Sequence, residues 1–185
     1  MAVVLLLVDR VRGSAMPAVE CALNASASQE REDLLLLPTL MRAVGGLHRP
    51  GTFVELGALD GRTFSNTLML EQCFGWTGIL IEANPISFSK LNASGRTAAL
   101  VHSAVCEAAG GFGGKQATVT FSLDGGETAG ELTYLTKRRQ RKRLKRSVEV
   151  PCEPLRSIMK RHGHSRVDFL SLDVEGQSVR VTLSA

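Results

Sequence analysis

Thr52-Phe53-Val54-Glu55-Leu56-Gly57-Ala58-Leu59-Asp60-Gly61 is the stretch that decides the fold. Its first half has the composition of a buried strand, and Gly57 and Gly61 let the backbone turn sharply and approach a ligand. A second apolar run, Gly78-Ile79-Leu80-Ile81, ends in Glu82, 21 residues after Gly61. An acid at the carboxyl end of a strand stands where open α/β sheets bind ligands, placed to grip ribose hydroxyls. Together the two runs imply a nucleoside-binding site.

Outward from this stretch, short apolar runs alternate with helical segments, the pattern of a parallel sheet covered on both faces. Strands are expected at 52–56, 78–82, 99–105 and 167–173, and helices at 62–74, from 85 to about 92, and at 154–162. Asn84-Pro85 supplies an N-cap and a first-turn proline, while Gly75 and Gly163 act as helix stops. Upstream, Leu34, Leu37, Leu40, Met41, Val44 and Leu47 predict a helix within 30–47, broken or started at Pro38 and ended by Gly45-Gly46. Residues 9–28 are rich in Ala and Ser without a clear period, so 1–28 is expected to form a weakly ordered lead-in, leaving 29–185 as one domain. Ala117, Val119, Phe121 and Leu123 alternate with polar residues, predicting a strand with one wet face, and Val148 to Cys152 is its expected partner. The fold class is α/β: a mostly parallel sheet with helices on both faces, plus an inserted β-hairpin.

At 185 residues, 44% hydrophobic and 22% charged, the chain is long enough for one substantial core. The formal charge of +4 is concentrated, because Lys137, Arg138, Arg139, Arg141, Lys142, Arg143, Lys145 and Arg146 supply eight of the 22 basic residues. The remaining 14 face 18 acidic residues, which excludes a nucleic-acid footprint spread over the whole body. The basic run, Lys137 to Arg146, is read as a solvated loop or as a dock for an anionic partner; no interleaved aromatics support base stacking.

Cys21, Cys73, Cys106 and Cys152 form no Cys-x-x-Cys pair, so free thiols are expected, with a Cys106–Cys152 bridge open if the chain is secreted. Asn24-Ala25-Ser26 and Asn92-Ala93-Ser94 match the glycosylation triplet, which has meaning only outside the cytosol. Ala2 to Val8 is apolar but too short to span a bilayer and lacks a basic residue before it, so it is not read as a signal peptide. The compartment stays open, leaning to the cytoplasm, and no transmembrane segment is expected.

The glycine loop discriminates between two nucleoside ligands. A dinucleotide brings a pyrophosphate and calls for Gly-x-Gly-x-x-Gly, so that free N–H groups of a helix N-terminus come close. Here Ala58-Leu59 follows Gly57, and acidic Asp60 repels phosphate. S-adenosylmethionine carries a positive sulfonium and ammonium and tolerates carboxylates nearby. The methyl donor is therefore favoured.

Four segments in order carry a family resemblance: Glu55 to Gly61, Phe74 to Pro85, Val150 to Leu155, and Val167-Asp168-Phe169-Leu170-Ser171-Leu172-Asp173-Val174-Glu175-Gly176. Over about residues 50–177 the chain resembles the FkbM family of methyltransferases. The resemblance implies a class I, Rossmann-like fold and S-adenosylmethionine-dependent O-methylation of a small-molecule or sugar hydroxyl. It further implies that Glu55, Gly57, Ala58, Asp60 and Gly61 line the methionine end, Glu82 the ribose, and Ser103 and Ala104 the adenine edge.

The acceptor hydroxyl must lose a proton, and Asp173 and Glu175, at the carboxyl end of the last strand, are the candidates for orienting it or acting as base. Acids are also favoured at a helix N-terminus, the structural alternative for both. His102, His162 and His164 are read as core or surface residues, and Gly110 to Gly114 as a loop with no helix N-terminus behind it. No metal site is expected. The family pattern continues past Asp-Val-Glu-Gly, so a truncated chain lacking the last strands is expected. The alternative function is a non-catalytic Rossmann-like binding module that recruits partners through the basic loop.

Overall fold

The computed structural model describes residues 15–46, 48–106, 117–123 and 147–173. Strands β1 (Thr52–Leu56), β2 (Thr77–Glu82), β3 (Ala99–His102) and β7 (Phe169–Leu172) form one sheet in the order β3-β2-β1-β7. Every pairing in it is parallel. The expected α/β architecture is the observed one.

Alternation along the strands explains why both faces are covered. Phe53 and Leu80 point to one face and pack with Leu40 and Met41 of α2 (Glu32–Val44), with Met69, Leu70 and Phe74 of α3 (Leu68–Phe74), and with Leu91 of α4 (Pro85–Asn92). Val54, Leu56, Ile79 and Ile81 point to the other face, where Leu155 and Ile158 of α5 (Leu155–Arg161) cover them. Period-two alternation thus sends each strand's apolar residues into two separate cores.

Several boundaries differ from expectation, each for a local reason. Ala15–Ala25, expected within a weakly ordered lead-in, forms helix α1, which buries Ala22 and packs on α3. Asp33, 1% exposed, fastens the α1–α2 connection by accepting hydrogen bonds from the Ser26 and Ser28 hydroxyls and the Ala27 N–H. Helix α2 runs through Pro38, where one main-chain bond is forfeited at an exposed position and burial of Leu40 and Met41 outweighs the loss. Gly45 then ends it at φ 90°.

The helix expected from Arg62 begins only at Leu68, because Ser65, Asn66 and Thr67 turn inward to satisfy a buried carboxylate. The strand expected over 99–105 breaks at Ser103. Its continuation, β4 (Ala104–Val105), leaves the main sheet and pairs parallel with β6 (Ser147–Glu153), which pairs antiparallel with β5 (Thr118–Ser122). This smaller sheet contains the expected hairpin strands.

The expectation of free thiols is overturned: Cys21 is bonded to Cys73 with Cα atoms 5.7 Å apart, and Cys106 to Cys152 at 5.8 Å. Packing of α1 on α3 creates the first pair, and the β4–β6 ladder the second. Residues 1–14, the Gly110 to Gly114 stretch, the basic run and everything after Asp173 lie outside the described residues. Among the described residues, no helix is long and apolar enough to cross a membrane.

Cys21 and Cys73 are 52 residues apart, so their bond restricts a long loop in the unfolded chain. Replacing both by Ser is expected to lower the unfolding free energy by about 2–4 kcal/mol. A urea titration checks this, and an unchanged midpoint would show that the α1–α3 link contributes nothing.

Candidate functional site

The chain runs outward from β1 to β2 to β3 and returns to β7 on the far side of β1. The order reverses between β1 and β7, and at such a switch point the loops leaving the carboxyl ends separate and open a crevice. Residues 57–67 leave β1 at that place.

Two positions there require glycine. Gly57 has φ 80°, and a Cβ on it would lie 1.9 Å from the Asp173 carbonyl oxygen, so the ends of β1 and β7 meet only because no side chain intervenes. Gly61 has φ 76°, and a Cβ there would press on Leu91 at 2.5 Å. Leu59 and Phe64 also sit at positive φ, 50° and 59°, which requires outside support to persist.

That support comes from hydrogen bonds. Gly57 and Ala58 donate their N–H groups to the Ile81 carbonyl at 3.0 and 3.1 Å, and Gly61 donates to Ala58 at 2.7 Å. Leu59 donates to one Glu82 oxygen at 2.8 Å, and the other Glu82 oxygen accepts the Asn84 N–H at 2.7 Å. Asp60 accepts from the Arg62 and Thr63 N–H groups and from the Thr63 hydroxyl, closing a turn. Burial works upward on the Asp60 carboxyl, but these donors and the Lys90 charge hold it below its ordinary value.

Beneath the loop lies a polar network. Glu55, 3% exposed, accepts the Asn66 N–H at 2.8 Å on one oxygen and the Ser65 and Thr67 hydroxyls at 2.9 and 2.6 Å on the other. The Arg96 guanidinium donates to the same two hydroxyls at 3.1 and 2.9 Å, to the Gly61 carbonyl at 2.6 Å, and to Glu71 at 3.0 Å. Glu71 also accepts the Thr97 N–H, and Asn66 reaches across to Ser171 on β7. Burial pushes the Glu55 carboxyl up, against the pull of the Thr67 hydroxyl, the Asn66 N–H and the Arg96 charge.

Glu82 stands differently. It is buried at the end of β2, and its recorded partners are all main-chain N–H groups. A carboxylate has about four lone-pair sites, so each oxygen keeps acceptor capacity. Burial raises its pKa, opposed by the N–H groups of Asn84, Leu59 and Ala83.

Beyond Glu82, the Phe88 ring stacks on His102 with centroids 4.8 Å apart, and His102 Nε2 lies 3.2 Å from the Ala83 carbonyl. The Ser103 hydroxyl is within hydrogen-bonding distance of the Ala104 and Pro151 carbonyls, tying the end of β3 to β6. Ala104 is half-buried and begins β4. Asp173 follows β7, its N–H bonded to the Leu56 carbonyl at 3.0 Å and its side chain exposed. Glu175 lies outside the described residues.

The structure therefore gathers Gly57, Ala58, Asp60, Gly61, Glu82 and Asp173 at one sheet edge, and puts Glu55 beneath the loop as an acid whose oxygens are both engaged by loop donors. Arg96, Ser65, Thr67 and Glu71 were not singled out from the sequence. The polar trio Ser65-Asn66-Thr67, interrupting an apolar helical run, is the one local signal; an Arg after a Ser-Gly turn offers none.

Substituting Gly57→Ala is expected to destabilise the fold by more than about 1 kcal/mol, since both the positive φ and the Asp173 carbonyl oppose a methyl group. Thermal unfolding checks this, with Gly75→Ala, whose added Cβ meets nothing within 4 Å, as the control for φ alone.

No curated protein and no solved structure matches the chain. Residues 55–180 match the methyltransferase FkbM domain, a span that begins at Glu55 and takes in the glycine loop, Glu82 and Asp173. The chain belongs to the FkbM methyltransferase family.

Proposed function

We propose that the β1–β7 crevice binds S-adenosylmethionine and that the protein transfers its methyl group to the hydroxyl of a small molecule or sugar. The observation that carries this reading is where the loop's N–H groups go. Those of residues 57, 58, 59, 61, 62 and 63 all have partners within the protein, and those of Asn66, Thr67 and Leu68 are taken by Glu55 and Ser65. A pyrophosphate would find few donors here, and two carboxylates beside it. A cationic donor without phosphate needs neither, and Glu82 retains acceptors for two ribose hydroxyls.

When bound, S-adenosylmethionine supplies a methyl group already activated by a sulfonium. The protein's part is positioning and water exclusion. Glu82 fixes the ribose end, Gly57 lets the main chains of β1 and β7 close up, and Ala58 and Gly61 shape the loop that faces the methionine end. Ser103 and Ala104, where β3 turns away into the smaller sheet, border the adenine. Asp173, exposed at the end of β7, is placed to orient the acceptor hydroxyl or take its proton, with Glu175 the second candidate in sequence.

Calorimetry with S-adenosylhomocysteine tests the donor site. Wild-type protein is expected to bind, and Glu82→Ala to weaken binding at least about tenfold, because charge-assisted hydrogen bonds contribute roughly 1.5–3 kcal/mol each. Absence of binding by folded wild-type protein would sink the proposal.

The pH dependence follows from the same residue. Ribose binding uses ionised Glu82, so affinity is expected to strengthen as pH rises through its elevated pKa. Stability of the ligand-free fold runs the other way: a carboxyl whose pKa rises on folding contributes stability below its unfolded value, and this is lost as pH rises through the folded value. Titrations from about pH 4.5 to about pH 7.5 check the affinity trend. In Glu82→Gln the slope is expected to flatten.

A further inference from the structure

The geometry points to Arg96 as the positioning residue that holds the Gly57 to Gly61 loop in its donor-binding shape, an inference that rests on the reading of that loop as the donor site. Arg96 arrives from the turn after α4, not from the loop, and its side chain is 1% exposed. Four donor–acceptor contacts leave it: to Glu71, to the Gly61 carbonyl, and to the Ser65 and Thr67 hydroxyls. The guanidinium carbon also lies 5.8 Å from the centroid of the Phe53 ring. A planar fork with fixed donor directions can serve these partners together, whereas a lysine ammonium is a single point.

The middle and the far end of the loop are thereby anchored to different elements. Leu59 is held by Glu82 at the end of β2, and Gly61 by Arg96 after α4. Leu59 and, just beyond Gly61, Phe64 are non-glycine residues at positive φ, which keep that conformation only while surroundings demand it. Arg96 also sets the direction of the hydroxyl protons. A guanidinium cannot accept, so Ser65 and Thr67 accept from it and turn their own protons onto Glu55. The cation thus reaches the strand-borne acid through two hydroxyls and fixes the loop geometry on the way.

The test pairs ligand binding with amide hydrogen exchange on ligand-free protein. Arg96→Lys, and separately Thr67→Val, are expected to speed exchange at Leu59 and Gly61 with little change in β1 and β2, and to weaken S-adenosylhomocysteine binding about tenfold, the loss expected for an unpaired buried donor. In turnover the donor KM rises while kcat at saturation holds. Thr67→Ser restores the hydroxyl and is expected to recover wild-type binding and exchange, which a general packing defect would not; it also keeps the test decisive should Arg96→Lys fail to fold. Unchanged loop exchange in both variants overturns the role of Arg96. Faster loop exchange in a protein whose wild type ignores S-adenosylhomocysteine supports the clamp and overturns the donor reading alone.

Discussion

Glu55 is an acid in the middle of the buried strand that starts the sheet, and the loop above it is organised around that constraint. Taking an isolated carboxylate out of water costs several kcal/mol. Here the Asn66 N–H and the Ser65 and Thr67 hydroxyls satisfy the acid, and Arg96 compensates its charge through the same hydroxyls. Three consecutive residues must turn inward to do this, so helix α3 cannot begin until Leu68. The lost helical turns are the origin of the loop that stands at the carboxyl edge of the sheet. A glycine-rich segment that looks flexible in composition is therefore pinned from below.

The same network explains the choice of partners. Arg96 pairs directly with Glu71 and through hydroxyls with Glu55, so one buried cation faces two acids, one of them buried. Removing any one member leaves an uncompensated buried group, which costs more than the intact bonds contribute. Asn66 extends the network to Ser171, so the loop's position is also tied to β7 on the far side of the switch point.

How much of this the residues announced depends on the range of the interaction. The strand at Thr52–Leu56 was legible in full, and Asn84-Pro85 marked the start of α4, because hydrophobic runs and caps are local signals. The hairpin strands were legible from alternation, and they pair as expected. Arg96 was not: its meaning lies in residues 25 to 35 positions away, and no period or spacing connects them. The late start of α3 was hidden for the same reason, since Arg62 to Phe74 suits a helix until Glu55 claims Ser65 and Thr67. Helix α1 was missed because its Ala- and Ser-rich stretch owes its order to α3 and to the Cys21–Cys73 bond, both distant in sequence. Of the expected site residues, those marked by a glycine or by a strand-end acid came together at the edge; what supports them was invisible.

Glu55 and Glu82 are two buried acids that the fold satisfies in different ways. Both end up inside, and in both burial pushes the carboxyl toward its neutral form. Glu55 is answered by the Ser65 and Thr67 hydroxyls, which a cation orients, and by the Asn66 N–H, all beneath the loop. Glu82 is answered by main-chain N–H groups at the carboxyl end of β2, on either side of the turn into α4 and the glycine loop. A polar group whose partners come from the backbone of the loop it shapes can bind and position at once: a ligand that engages Glu82 also loads the Leu59 N–H, and with it the loop.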